Sequence, residues 1–139
     1  MPEIAKQRPG TMRLIDALQY RLPLAGVVSI LHRASGLILF LLLPFIIWLF
    51  DKSVTSEMSY AEFTSTFVAG WGFLPGWFMK VVVLGLIWAY LHHFAAGIRY
   101  LVMDAFHTVS KAQGRQSAIA TLVFSLLLTA ALGYKLFMS

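Results

Sequence analysis

Two adjacent histidines, His92 and His93, lie inside a long apolar run of this sequence. The segment Val81–Ile98 contains no formally charged residue, and its length approaches the roughly twenty residues that a helix needs to cross a bilayer. An ionisable side chain is costly in hydrocarbon and usually serves a function there. Small residues share one helical face with the second histidine, at intervals of four residues: Gly85, Ala89, His93 and Gly97. Because His92 points about 100° away from this face, His93 is the better candidate ligand.

A histidine on such a face has two interpretations. A neutral imidazole in a membrane helix can ligate a haem iron, whereas an imidazole that hydrogen-bonds to a neighbouring helix serves packing alone. The pattern supports the two interpretations of His93 about equally. Arg99 and Asp104 follow on the same helix, a spacing more typical of an ion pair at the membrane surface. Beside a haem, however, the Arg99 guanidinium would neutralise a propionate.

A second group of polar residues lies at the start of another apolar segment. Ser29, Arg33 and Gly36 share a helical face, and His32 lies at its edge. Such donors suit a ligand that carries carbonyl oxygens on an apolar body, because the donors orient the oxygens while apolar surface holds the rest. The simpler alternative, which the pattern alone favours, is that Arg33 extends to lipid phosphates and Ser29 bonds its own backbone.

The composition assigns the chain to a class of protein. Charged residues make up 12% and hydrophobic residues 59% of the 139 residues, whereas a soluble domain carries about 25% charged residues. We therefore expect an all-α integral membrane protein embedded in a lipid bilayer. Cysteine is absent, which excludes disulfides, iron–sulfur ligation and haem attachment through paired cysteines. The net charge of +5 indicates membrane topology and not nucleic-acid binding, since the basic residues flank the apolar segments.

A single membrane domain is predicted to cover residues 1–139. It consists of an N-terminal segment and three spanning helices: residues 1–26, then 27–50, 77–102 and 116–135. Residues 12–18 are expected to form a short interfacial helix, and residues 53–77 a connector with a turn and interfacial aromatic side chains. Lys and Arg concentrate up to Arg33 and within Arg99–Arg115. The excess of cations on cytoplasmic loops therefore predicts a cytoplasmic N-terminus and a C-terminus on the opposite side of the membrane.

The two polar motifs together resemble a known family. The segment Ser29–Gly36, followed later in the chain by His93–Asp104, is similar to the cytochrome b membrane-anchor subunit of succinate dehydrogenase (complex II). The resemblance covers the whole chain, including Arg8-Pro9 near the N-terminus and the three helices. It implies a subunit of an oxidoreductase in the inner membrane of a bacterial cell. Its implied partners are a second membrane-anchor subunit, an iron–sulfur subunit and a flavoprotein subunit.

The resemblance also implies roles for individual residues. His93 would be the axial ligand of a haem b iron, and His32 would lie beside the haem propionates. Ser29 and Arg33 would help form the ubiquinone site, and Arg33 and Arg99 would also serve the propionates. The second axial ligand would come from the other anchor subunit, since this chain offers one histidine on the small-residue face.

The family has no complete active site in this subunit, so no catalytic residue for the dicarboxylate reaction is expected here. The chain would contribute the quinone site to the complex. Two alternatives stay open at this point. One is an anchor of the related fumarate reductase type, which uses menaquinol in the opposite direction, and the other is a three-helix structural protein without a cofactor.

Overall fold

The computed structural model describes residues 13, 15, 19, 21–107 and 110–138. Most of this part is helical, in five helices: α1 (Leu24–Leu41), α2 (Leu43–Val54), α3 (Glu57–Val68), α4 (Gly76–Phe106) and α5 (Lys111–Met138). Helices α1, α4 and α5 pack against one another, and α3 packs against α2 and α4. The predicted all-α fold is confirmed. The interfacial helix predicted at residues 12–18 lies for the most part outside the described residues.

Three of these helices, α1, α4 and α5, are long and apolar enough to cross a membrane. Their outward side chains are largely hydrophobic, and Phe40, Leu101 and Leu127 are each mostly exposed. Water would penalise such a surface, whereas the hydrocarbon of a bilayer does not. The chain is therefore a multi-pass membrane protein, as the composition predicts.

Small side chains fill the places where the three spanning helices come closest together. Val28 of α1, Ala96 of α4 and Ala118 of α5 form a fully buried cluster, and Ala89 and Ser125 are also fully buried. Small residues let the backbones of membrane helices approach closely enough for dispersion contacts and hydrogen bonds between helices. This close approach fixes where the polar side chains of α1 and α4 meet.

The predicted first spanning helix, residues 27–50, is corrected by the structure, because it is divided at Leu42. Pro44 explains the division, since proline has no amide hydrogen and its ring clashes with the carbonyl group four residues earlier. Leu42 has φ −94° and ψ 8°, but its amide still donates to the Ile38 oxygen at 3.0 Å. Helix α2 therefore follows α1 directly, and the Ile46 amide donates to the Leu42 oxygen at 2.9 Å.

The connector predicted at residues 53–77 contains a helix, α3, that the sequence analysis missed. Ser59 donates its amide to Ser56 Oγ at 3.1 Å, and Ser56 donates its amide to Ser59 Oγ at 2.9 Å. This reciprocal cap satisfies two amides that the first turn of a helix leaves unpaired. After α3, the chain turns through Gly70, whose φ of 91° favours glycine.

The two longer spanning helices extend beyond their predicted ends. The helix predicted at 77–102 continues to Phe106, where His107 ends it in the left-handed conformation at φ 52°. The helix predicted at 116–135 begins at Lys111. The apolar runs alone set the predicted ends, whereas helices also continue through charged residues at the membrane surface, where long side chains reach water.

Candidate functional site

His93 of α4 packs against α1, where its ring meets that of His32. The two imidazole rings stack with centroids 4.3 Å apart and planes 13° from parallel. Nδ1 of His93 lies 3.1 Å from the backbone oxygen of His32. Since a carbonyl oxygen can only accept a hydrogen bond, Nδ1 carries the proton. A neutral His93 therefore keeps an unshared electron pair on Nε2, where it can ligate a metal.

A glycine and a serine on α1 shape the surface that His93 contacts. A Cβ atom at Gly36 would lie 2.9 Å from Cε1 of His93, so any larger residue would displace the ring. The neighbouring Ser35 is fully buried and donates its hydroxyl to the same His32 oxygen at 2.9 Å. Its Oγ also lies 3.4 Å from Nδ1 of His93. The His32 carbonyl, the Ser35 hydroxyl and the bare backbone at Gly36 thus hold the imidazole in one orientation.

The small-residue face predicted on α4 is used only in part. Ala89 is fully buried, and a Cβ atom at Gly97 would lie at an ordinary contact distance of 3.9 Å from Nε2 of His32. Gly85 is exposed, and a Cβ atom there would meet nothing within 4 Å. The face therefore serves close packing from Ala89 to Gly97 but not at Gly85, two turns before His93.

His92 has a different environment on the other side of α4. It is 0% exposed, its ring stacks against that of Trp88 at 5.2 Å, and its Nδ1 lies 3.5 Å from Ser125 Oγ on α5. Its Nε2 is buried and has no hydrogen-bond partner. His92 therefore belongs to the packed interior of the bundle, beside α5, and leaves no space for a flat cofactor at its ring.

Two residues that the sequence analysis gave no role contact the histidine pair. One is Ser35, described above, and the other is Tyr100, whose ring centroid lies 5.3 Å from that of His32. Helical spacing carries the signal that could have found them. Ser35 follows His32 by three residues, and Tyr100 follows His93 by seven, so each shares a face with its histidine.

Ser29 and Arg33 lie one turn apart on α1, next to the histidine pair. Ser29 is half-buried and Arg33 is exposed. Among the described residues, Arg33 has no carboxylate partner. The structure thus brings the half-buried rings of His32 and His93 together between α1 and α4 and leaves Arg33 exposed on α1. A ligand that Ser29 and Arg33 hold would lie against α1, beside lipid or another subunit.

Arg99, which was expected beside haem propionates, has its guanidinium carbon Cζ 5.3 Å from the ring centroid of Tyr100. Its guanidinium points to α5, where Nε donates to Ser117 Oγ at 2.9 Å and Nη2 donates to the Gly114 oxygen at 3.2 Å. Asp104 is exposed and forms no ion pair with it in the described part of the chain. The alternative of an Arg99–Asp104 pair is therefore wrong. Arg99 joins α4 to α5 because it shares the helical face of His92.

Comparison with known proteins assigns the chain to a family. A family model for the succinate dehydrogenase/fumarate reductase transmembrane subunit matches residues 6–132. The succinate dehydrogenase cytochrome b556 subunit of Coxiella burnetii is 32% identical over 111 residues, which cover 80% of this chain and 84% of that protein. The subunit of the same name from Paracoccus denitrificans is 32% identical over 120 residues, 86% of this chain and 87% of that protein. This chain therefore belongs to the succinate dehydrogenase/fumarate reductase transmembrane subunit family, among its cytochrome b anchors.

Proposed function

We propose that this chain is the haem b- and ubiquinone-binding membrane anchor of a succinate:quinone oxidoreductase. In this proposal it docks an iron–sulfur subunit and a flavoprotein subunit to the membrane, together with a second anchor subunit. The names of the relatives, cytochrome b556 subunits of succinate dehydrogenase, support haem as the cofactor. They also favour the succinate dehydrogenase type over the fumarate reductase type within the family.

The observation that carries the haem assignment is the hydrogen bond from Nδ1 of His93 to the His32 oxygen. Metal-ligating histidines usually donate their second ring proton to a carbonyl or carboxylate, which fixes the ring and makes the ligating nitrogen more basic. His93 meets this requirement and leaves Nε2 for iron. In His92, by contrast, Nε2 is sealed inside the bundle.

The residues around His93 fit the remaining needs of a haem. Haem would supply a one-electron carrier at this position. His32 and Arg33 are the candidates to contact its propionates, because a protonated donor beside a carboxylate forms a strong, short hydrogen bond. Arg99 is not part of this proposal, since its donors are bound to α5. The second axial ligand would come from the other anchor subunit.

Ser29 and Arg33 are the proposed ligands of the ubiquinone ring. The Ser29 hydroxyl and the Arg33 guanidinium would donate hydrogen bonds to one quinone carbonyl oxygen and so orient the ring. The positive charge of Arg33 would also favour electron density on that oxygen as electrons arrive from the iron–sulfur subunit. Oxidation of the dicarboxylate would take place in the soluble subunits.

A comparison of the two adjacent histidines tests the haem assignment. In the complex purified from membranes, His93→Ala should lose the low-spin haem b signal in a reduced-minus-oxidised spectrum, because Nε2 of His93 is removed as a ligand. His92→Ala is the matched control and should keep the signal. Haem content per complex and thermal unfolding of both variants separate ligand loss from misfolding.

A further variant tests whether His93→Ala loses haem through the missing ligand or through a change in structure. His93→Gly leaves space for a free imidazole, so added imidazole should restore part of the haem spectrum. Loss of the signal in His92→Ala with an unchanged signal in His93→Ala would show that the wrong neighbour was chosen. A complex that purifies intact with no haem in the unaltered protein would refute the haem assignment altogether.

A further inference from the structure

A cavity of about 550 Å³ lies where α1 and α5 begin and α4 ends. Its lining combines three cationic side chains with three large apolar ones: Arg99, Lys111 and Arg115, with Leu22, Leu24 and Met103. Among the described residues that line it, none is acidic. The cavity therefore has the charge of an anion site on one side and an apolar wall on the other.

The cations of this cavity have no counter-ion in the described part of the chain. Arg99 is only 6% exposed, and its guanidinium donates to the neutral groups of Ser117 and Gly114. Neither Lys111 nor Arg115 pairs with a carboxylate among the described residues. Burying a charge is costly unless an opposite charge compensates it, so the cavity favours an anion close to Arg99.

The N-termini of two helices also favour an anion in the cavity. Helix α5 begins at Lys111 and α1 begins at Leu24, and both residues line the cavity. The first turn of a helix carries a partial positive charge, which stabilises a nearby anion. In α5, Ser110 Oγ already accepts from the Gln113 amide at 3.2 Å, so the charge of the helix end and not a free Gln113 amide contributes. Two helix N-termini and three cationic side chains thus favour an anion in this cavity.

The position of the cavity along the bundle indicates which anion it takes. It lies at one end of the three membrane-spanning helices, the depth at which hydrocarbon gives way to lipid headgroups. A soluble phosphate or a protein carboxylate would leave the wall of Leu22, Leu24 and Met103 without a partner. We propose that this cavity binds an anionic phospholipid, with its phosphate near Arg99, Lys111 and Arg115 and its glycerol and upper acyl chain against the apolar wall.

Lipid binding to the complex purified in mild detergent tests the proposal. After delipidation, dioleoylphosphatidylglycerol should raise the thermal unfolding midpoint more than dioleoylphosphatidylcholine, and native mass spectrometry should show a retained anionic lipid. The double variant Lys111→Gln/Arg115→Gln should weaken the phosphatidylglycerol affinity by about 25-fold, since each cation near the surface contributes about fivefold. The matched control Lys80→Gln/Lys135→Gln removes two cations elsewhere and should bind like the unaltered complex.

Four results would overturn the proposal. Equal responses to the two lipids would remove the requirement for an anion. A double variant that binds phosphatidylglycerol like the control would exclude Lys111 and Arg115 as its ligands. A full stabilising effect from inorganic phosphate alone would identify a soluble-anion site. Loss of a co-purifying subunit from the double variant, with its lipid response unchanged, would assign the cations to a protein contact.

Discussion

At the scale of single residues, the orientation of His93 depends on the absence of a side chain at Gly36. A methyl group there would come within 2.9 Å of the imidazole, and overpacking of this kind typically costs about 1–3 kcal/mol. We predict that Gly36→Ala tilts the ring, lowers haem content and shifts the haem spectrum of the purified complex. Optical spectra and haem quantification measure these changes.

Gly85→Ala provides the control for this substitution. It adds the same methyl group to an exposed position with nothing within 4 Å, so spectrum and stability should stay unchanged or improve slightly through higher helix propensity. An unaltered spectrum and haem content in Gly36→Ala would show that His93 is not held by this contact.

The quinone assignment makes a prediction about Arg33 and Ser29. A hydrogen bond to a charged donor is worth about 1.5–3 kcal/mol and a neutral one about 1 kcal/mol. Arg33→Leu should therefore weaken the apparent quinone affinity roughly 10- to 100-fold and Ser29→Ala about fivefold. Succinate oxidation by an artificial acceptor that bypasses the quinone should be unchanged in both variants.

The control for lost charge is Arg21→Leu, since Arg21 is also exposed but precedes α1. Haem content must be measured alongside, because Arg33 is also a candidate for the propionates. Full succinate–quinone activity with normal quinone affinity in Arg33→Leu would reduce Arg33 to an interfacial anchor.

Residue spacing predicts the direction in which a side chain leaves its own helix, but it does not predict which neighbouring helix that side chain contacts. The interval of four residues was enough to separate His93 from His92, because the two rings leave the helix in different directions. The direction of Arg99 was missed, since spacing gives its angle relative to His93 but not which neighbouring helix lies at that angle. The contact between His93 and the His32 oxygen joins two helices, and no pattern within one helix contains it.

At the scale of helices, the length of the apolar runs predicts that α4 and α5 exist. It does not predict the break at Pro44 or the polar helix α3, because single residues determine these features. Pro44 divides the first crossing although the apolar run continues past it. Helix α3 was missed because its residues are polar and aromatic in mixed order, without the periodicity of a buried face. Its signal is the Ser56–Ser59 cap, where serine replaces the Glu or Gln usual at the second position of a capping box.

The cap makes a prediction about α3. Ser56→Ala removes the acceptor for the Ser59 amide and should cost about 1 kcal/mol of local stability. Amides in the first turns of α3 should then exchange with solvent deuterium about fivefold faster. Ser53→Ala is the control, since its hydroxyl donates to Phe50 of its own helix. Unchanged exchange in Ser56→Ala would mean that other contacts hold α3.

One such contact is the ion pair between Lys52 of α2 and Glu62 of α3, at 2.8 Å. The hydrogen bond to Glu62 raises the pKa of Lys52. A raised pKa stabilises the folded state fully below the ordinary pKa of lysine, and this stabilisation is lost as the pH rises through the raised pKa. The contribution is therefore constant through neutral pH and is lost in alkali. Solvent screens the pair, so the cap should dominate.

At the scale of the whole molecule, the distribution of cations predicts the orientation of the bundle. We predict that the N-terminus and the segment between α4 and α5 face the cytoplasm and that the C-terminus faces the periplasm. A reporter enzyme that is active only outside the cytoplasm should therefore be active when fused after Ser139. The same reporter inserted after His107 should be inactive. A stable but inactive fusion after Ser139 would reverse the assigned orientation.

The sizes of the side chains inside and around the bundle determine which positions accept substitutions during evolution. At the perimeter, Phe40, Leu101 or Leu127 meets hydrocarbon, and one large apolar residue replaces another there at little cost. Inside, Val28, Ala96 and Ala118 have no room to grow. Substitutions should thus accumulate on the outside across generations. The two relatives named above differ from this chain at about two-thirds of the aligned positions, and this rule predicts that most of those differences lie at the perimeter.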